Sequence, residues 1–185
     1  MGMRMNTLFG WISRRRKYLC LFSLLALYLG VLMPWIAAQD AAPPVSQEQK
    51  DLDFADGLYQ RGMYDNAAKQ YADFLSKYPV GPLRESALFR QGESYYQHAS
   101  KKLTHDPVQS KVALLKARGA FQEWLRLYPQ GKRLHESLLR FGEISYKLDD
   151  AKSGLDPLLR VVKESKDPTL LEAALFYAGR CQEAL

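Results

Sequence analysis

The sequence predicts an all-α fold, a stack of two-helix hairpins that follows an N-terminal leader, and three observations predict it. From Lys50 onward apolar residues recur at three- and four-residue spacing, the pattern of helices that each bury one face. No alternating run of β-branched residues is long enough to build a sheet. The third observation is internal repetition: Ala67, Tyr71, Phe74, Leu75, Tyr78 and Pro79 return with the same spacing as Ala117, Phe121, Trp124, Leu125, Tyr128 and Pro129. The series comes back in weaker form as Ala151, Leu155, Leu158, Leu159 and Val162, so the offsets are 50 and then 34.

Taking the elements in order, residues 1 to 17 hold Arg4, Arg14, Arg15, Arg16 and Lys17 and no acid. From Tyr18 to Gln39 no side chain is charged, and the small pair Ala37-Ala38 lies at the end of that stretch. A basic start, apolar middle and small-residue exit form the layout of a secretory signal, with cleavage expected near Ala38. An uncleaved membrane anchor is the alternative, because 22 uncharged residues in a helix would cover the roughly 30 Å of hydrocarbon. Pro34 argues against it, since a helix from Tyr18 to Met33 reaches only about 24 Å before the proline interrupts it. Lys17-Tyr18-Leu19 lacks the small residues that lipid attachment at Cys20 would need, and Arg15-Arg16 is a weak twin-arginine signal.

The whole chain carries a formal charge of +6, but without this leader 21 basic residues face 20 acidic ones. A phosphate-binding surface needs clustered excess positive charge, so no nucleic-acid partner is expected.

Residues 39–49 (QDAAPPVSQEQ) read as a flexible linker. Helices are predicted at 50–61, 64–78, 82–98, 107–128, 132–148, 151–165 and 168–184. Pro79 and Pro129 each follow a tyrosine at a helix end, while Asp106-Pro107 and Asp167-Pro168 set a capping acid before a first-turn proline. The first helix of each hairpin echoes as well: ESALFRQG (85–92) matches EAALFYAG (172–179), and ESLLRFG (136–142) matches with one residue missing. Gly62, Gly92, Ala67 and Ala117 are expected to let helices approach closely, with Tyr71, Phe74, Phe121 and Trp124 filling the space between hairpins.

A helix-turn-helix unit with a 34-residue period, small residues at the crossings and a proline at its end resembles the tetratricopeptide repeat. Phe54, Ala55, Leu58, Tyr59, Gly62, Tyr64, Ala67, Tyr71, Phe74 and Pro79 fall on that family's pattern, and the resemblance covers residues 51–185. The elements LYQRGMYDNAAKQYADFLSKYP and LFRQGESYY look most like its bacterial cell-envelope branch, similar to the outer-membrane β-barrel assembly lipoprotein and the Tol-Pal coordinator.

The resemblance implies an α-solenoid of about three and a half repeats over 50–185 whose first helices line a concave surface. Phe54, Leu58, Arg61, Gln91, Tyr95, His98, Phe141 and Ser145 would lie near it, a mixture suited to a partner peptide or helix. It also implies an exported periplasmic scaffold that binds envelope proteins and is not an enzyme, with membrane contact only through the N-terminal segment. An accessory repeat region of a longer envelope enzyme is the alternative, as is a membrane-anchored form of the same scaffold.

Three departures from the family carry expectations of their own. The first offset exceeds the period by 16 residues, placed around 98–116, which predicts a polar loop near 99–105 and an unusually long helix after it. That extension is either a docking surface or a tolerated insertion. Asp156-Pro157 is expected to start the sixth helix late or to kink it. The last helix carries Leu171, Ala174, Leu175 and Ala178 on a face that can pack backward, leaving its forward side for another helix or another chain.

Catalytic chemistry finds no foothold in the sequence. His98, His105 and His135 lack metal-site spacing, Gly57, Gly62 and Gly81 form no phosphate loop, and no nucleophile elbow is present. The neighbouring acids Asp51 and Asp53, and Asp149 and Asp150, stand at a helix start and a turn, where the helix dipole accounts for them. No cofactor is expected, and Cys181 reads as a buried small hydrophobe.

Overall fold

The computed structural model describes residues 46–185. The predicted signal or anchor and most of the predicted linker lie outside the described residues. Within them are seven helices and no strand: α1 Gln47–Gln60, α2 Tyr64–Lys77, α3 Arg84–Lys101, α4 Pro107–Leu127, α5 Leu134–Lys147, α6 Ala151–Glu164 and α7 Pro168–Glu183. Each helix packs on its neighbours in sequence, and α5 also touches α7, which gives a helical, repeat-like array. No described helix is long and apolar enough to cross a membrane.

Local chemistry sets the helix ends. The Ser46 hydroxyl accepts a hydrogen bond from the Gln49 amide at 3.1 Å, so α1 begins ahead of the predicted start at 50. Ala99 is buried against α4, which carries α3 on to Lys101 and moves the connecting loop to 102–106 instead of 99–105. Asp106 and Asp167 cap α4 and α7 by accepting from Gln109 N (2.9 Å) and Thr169 N (2.8 Å), each before a first-turn proline as expected. Asp150, not Asp156, caps α6: it accepts from Ser153 N at 3.2 Å, and the helix starts on time with Pro157 inside it.

Three apolar clusters form the core. One joins Leu52, Ala55 and Leu58 of α1 to Ala67, Tyr71 and Phe74 of α2 and Ala87 of α3. A second joins α3 and α4 around Leu88, Phe89, Phe121 and Trp124, and Trp124 Nε1 donates to the Glu85 carbonyl at 3.1 Å. The third holds α5, α6 and α7 together through Leu138, Leu139, Leu158, Val161, Ala174, Ala178 and Cys181.

Glycines mark the tightest crossings, Gly142 facing Gly154 between α5 and α6, and Gly92 between α3 and α4. A Cβ on Gly92 would lie 3.0 Å from the Phe121 ring, and one on Gly142 would lie 2.4 Å from Leu158 Cγ. Gly62 does a different job from the one expected. It turns the chain between α1 and α2 with φ 72°, and the nearest atom a Cβ there would meet is 3.9 Å away.

Because α3 starts at Arg84 and α5 at Leu134, ESLLRFG aligns on ESALFRQG without a gap when read back from the crossing glycine. The one-residue gap there is an artefact of matching the two glutamates. In α6, Leu158 and not Leu155 sits against the crossing glycine as Phe121 does in α4, because the α5–α6 turn is only three residues long.

Candidate functional site

The residue after a crossing glycine is turned away from the helix that covers the glycine. In both α3 and α5 that residue is a glutamate, Glu93 after Gly92 and Glu143 after Gly142, and both carboxylates are buried. They meet between the two helices. Arg140 donates from Nε to Glu93 Oε2 at 3.0 Å and from Nη1 to Glu143 Oε2 at 2.8 Å, so one guanidinium bridges both acids. Lys147 Nζ lies 3.1 Å from Glu143 Oε1, the oxygen that also accepts from Tyr96 at 2.5 Å and from Tyr177 of α7 at 2.7 Å. Gln97 donates to the remaining oxygen of Glu93 at 2.7 Å. Arg140 and Lys147 both stand over the Tyr96 ring, 4.7 and 5.0 Å from its centre.

The electrostatics follow from that geometry. Burial alone would raise the Glu143 pKa, but the hydrogen bonds from Tyr96 and Tyr177 and the charges of Lys147 and Arg140 outweigh it, and the net shift is downward. Burial likewise opposes the charge on Lys147, and the Glu143 carboxylate more than compensates, so its pKa rises. The Tyr96 phenol is pushed up by burial first and by its bond to Glu143 second. Two acids thus balance two cations, and both oxygens of Glu143 are taken up by donors. A general acid or base needs a free lone pair and a pKa raised toward neutrality, so this cluster is built to hold helices in place.

Beside it lies a cleft of about 300 Å³ lined by Phe89, Glu93, Glu136, Leu139, Arg140 and Leu170. Its floor is apolar, its rim carries both signs of charge, and three helices contribute to it: α3, α5 and α7. On α3, the Arg90 guanidinium stands over the Tyr59 ring of α1, 5.5 Å from its centre.

The eight residues named from the sequence lie in several places. Phe54 is exposed and lines a second cleft, of about 290 Å³, between α1 and α2 with Asp51, Gln70, Asp73, Phe74 and Lys77. Leu58 is in the first core cluster, and Arg61 is exposed at the C-terminal cap of α1. Gln91 is half-buried on α3, one turn before Tyr95. Tyr95 and His98 line a crevice with Asp65 of α2 and Gln109, Val112 and Lys116 of α4. Phe141 packs against the α3–α4 core cluster. Ser145 is fully buried, with its Cβ 3.2 Å from where a Cβ on Gly154 would stand, at the α5–α6 crossing.

None of the eight lines the Glu93–Arg140 cleft, and the sequence reading missed the residues that do. The signal was present as GESYY (92–96) and GEISY (142–146), which repeat at offset 50 with an acid directly after each crossing glycine.

Other chemistry-bearing groups are accounted for by packing or capping. Among the described residues no group of histidine, cysteine and carboxylate side chains is placed to hold a metal ion. Cys181 is fully buried, and burial pushes its thiol pKa up. No family model and no curated protein sequence matches this chain.

Proposed function

We propose that the chain is an exported, non-enzymatic scaffold of the cell envelope, a stack of tetratricopeptide-type hairpins that takes a partner peptide or helix along its first helices. One observation carries this reading: α3, α5 and α7 jointly form a cleft with an apolar floor (Phe89, Leu139, Leu170) and a charged rim (Glu93, Glu136, Arg140). The export signal read from the sequence and the resemblance to envelope repeats supply the compartment. To the eight groove residues expected from the sequence we add these six as partner-contacting candidates.

Affinity capture from envelope extracts with the full chain tests the reading, with Glu136→Lys on the cleft rim as the control. Recovery of a protein by the wild type and its loss with the variant supports the scaffold. Equal recovery by both, or none by either, overturns it.

A second reading is favoured by α7. Leu175 and Phe176 are 58% and 61% exposed, whereas the equivalent Leu88 and Phe89 of α3 are buried, and a Cβ on Gly179 would meet nothing within 4 Å. A further helix packed there, within a longer envelope enzyme that carries these repeats as an accessory region, would cover that face. The reading frame downstream of Leu185 decides it: an immediate stop codon removes this reading.

A further inference from the structure

The long helix α4 is apolar on two opposite faces. Its inner face, Ala113, Leu114, Ala117, Ala120, Phe121 and Trp124, is buried. Directly opposite run Val108, Val112 and Leu115, which are 69%, 42% and 44% exposed, followed by Gly119, whose Cβ position is open. Lys111 and Lys116 flank this outer stripe on either side, and both are exposed.

The charge around the stripe is one-sided. Between Ser94 and Gln122 stands a single acid, Asp106, against Lys101, Lys102, Lys111, Lys116 and Arg118, and the next acid, Glu123, one turn past Gly119, lies 3.8 Å from Arg84. Asp106 is engaged in capping α4, and Arg118 is paired with Asp150 at 3.0 Å. The four lysines form no ion pair among the described residues, and Asp65, the nearest acid on α2, is held by Lys69 at 2.6 Å. This positive corner stands out from a body whose charges otherwise nearly cancel.

We infer that this outer stripe of α4 rests on an anionic lipid surface, with Val108, Val112 and Leu115 entering the headgroup region and the lysines meeting lipid phosphates. Charge complementarity selects the sign of the partner, and shape selects its class. Val108, Val112 and Leu115 project from the fold; the crevice beside Val112 at Tyr95 and His98 is about 60 Å³, and an open hollow of about 360 Å³ lies past their C-terminal end at Gly119, Gln122, Glu123 and Arg126. A ridge of apolar side chains flanked by lysines matches a bilayer interface. The contact adds to the N-terminal segment, to which the sequence alone confined membrane contact, and it does not depend on what occupies the cleft between α3 and α5.

The test uses the full chain reconstituted on vesicles, with a polarity-sensitive fluorophore on Gly119→Cys in a Cys20→Ser background, where the one remaining native thiol, Cys181, is buried. On vesicles of mixed phosphatidylglycerol and phosphatidylcholine the label is expected to shift to the blue and to be quenched by headgroup-region spin-labelled lipid. On pure phosphatidylcholine both effects weaken, and a label on Lys152→Cys of α6 stays water-like on both vesicles. Tethering by the leader acts alike in all arms, so the difference reports α4 itself. Lys111→Gln and Lys116→Gln each lower the anionic-lipid contact roughly fivefold, since one lysine near such a surface is worth about that factor. Leu115→Ser lowers it without changing the salt dependence. A Gly119 label that stays water-exposed on anionic vesicles, or that responds equally to both compositions, overturns the inference.

Discussion

The same substitution, glycine to alanine inside a helix, should change sign along this chain, and the crossings dictate where. In an open helical position alanine stabilises by about 1 kcal/mol, because it confines the unfolded backbone and is the better helix former. Gly57, Gly119 and Gly179 are such positions, with nothing within 4 Å of a new Cβ. At Gly142 the new methyl would stand 2.4 Å from Leu158 Cγ, 2.8 Å from Leu158 Cδ2 and 3.0 Å from the Gly154 carbonyl oxygen. Carbon atoms rest at about 3.5 to 4.0 Å, so α5 and α6 must part by roughly 1 Å. Leucine has a rotamer to yield, but the Gly154 carbonyl is backbone and moves only with its helix. Overpacking of this kind costs about 1 to 3 kcal/mol, and with two neighbours struck the upper end applies, which leaves Gly142→Ala destabilised by about 2 kcal/mol after the propensity gain. Gly92→Ala falls between the two, because Phe121 presents ring atoms at 3.0 to 3.2 Å that can tilt. Urea unfolding followed by circular dichroism ranks the five variants. If Gly142→Ala proved as stable as Gly57→Ala, the reading of Gly142 as a forced close crossing would be wrong.

Three further outcomes follow from single environments. Glu143 has a lowered pKa in the fold, so its ionised form contributes stability above the ordinary carboxylate value near 4.5, and that contribution is lost as pH falls through and below it. Glu143→Gln should therefore cost about 2 to 3 kcal/mol at neutral pH, leaving Arg140 and Lys147 short of a counter-charge, and should flatten the acid limb of a urea titration series; an unchanged acid limb would refute the assignment. Asp149 holds φ 60° in the α5–α6 turn, the left-handed conformation that Gly62 adopts between α1 and α2, so Asp149→Gly should raise stability by about 0.5 to 1 kcal/mol in the same assay. The Ser145 hydroxyl is buried without a hydrogen-bond partner, and Ser145→Ala is expected to be neutral or stabilising by up to about 1 kcal/mol; a loss above that would reveal a partner for the hydroxyl.

Most of the helical layout was legible because its determinants are local. Capping acids before Pro107 and Pro168 and tyrosine-proline pairs after α2 and α4 depend on neighbours in sequence, and they placed those ends within a residue or two. The early start of α1 is local too, set by the Ser46 cap, whereas the late end of α3 has a distant cause: Ala99 packs on α4 and holds the last turn helical. The α6 start at Ala151 was legible as well, and only the alternative of a late start at Asp156-Pro157 fails, because Asp150 caps the helix after a three-residue turn from α5. The site was the least legible part. Tyr95 and Tyr96 are adjacent in sequence, yet one lines a crevice toward α2 and α4 while the other reaches Glu143 on α5. Which tyrosine faces which neighbour depends on the helix rotation fixed by Gly92, and a one-residue choice on a helix turns the side chain to another face. The groove candidates mixed aromatic, apolar and polar residues by position along the first helices, while the surface between α3 and α5 is organised by Glu93, Arg140 and Glu143, charges that composition counts as solvent-facing.

That organisation bears on what the cleft is for. Burying two carboxylates and a guanidinium costs desolvation that their mutual attraction only about offsets, so an apolar seam between α3 and α5 would hold the helices as firmly. The ion pairs add direction. Arg140 must keep Glu93 and Glu143 at 3.0 and 2.8 Å at once, and Tyr177 ties α7 to the same carboxylate, so three helices are locked in register by groups that tolerate little sliding. Glu93 and Arg140 are also walls of the cleft, hence the lock fixes the shape of the surface where the partner is proposed to dock. A preformed surface leaves less ordering to be done on association, so more of the energy gained there goes into affinity. Under the proposed docking, the network both holds α3, α5 and α7 in register and sets the shape of that surface, while the apolar clusters supply the cohesion.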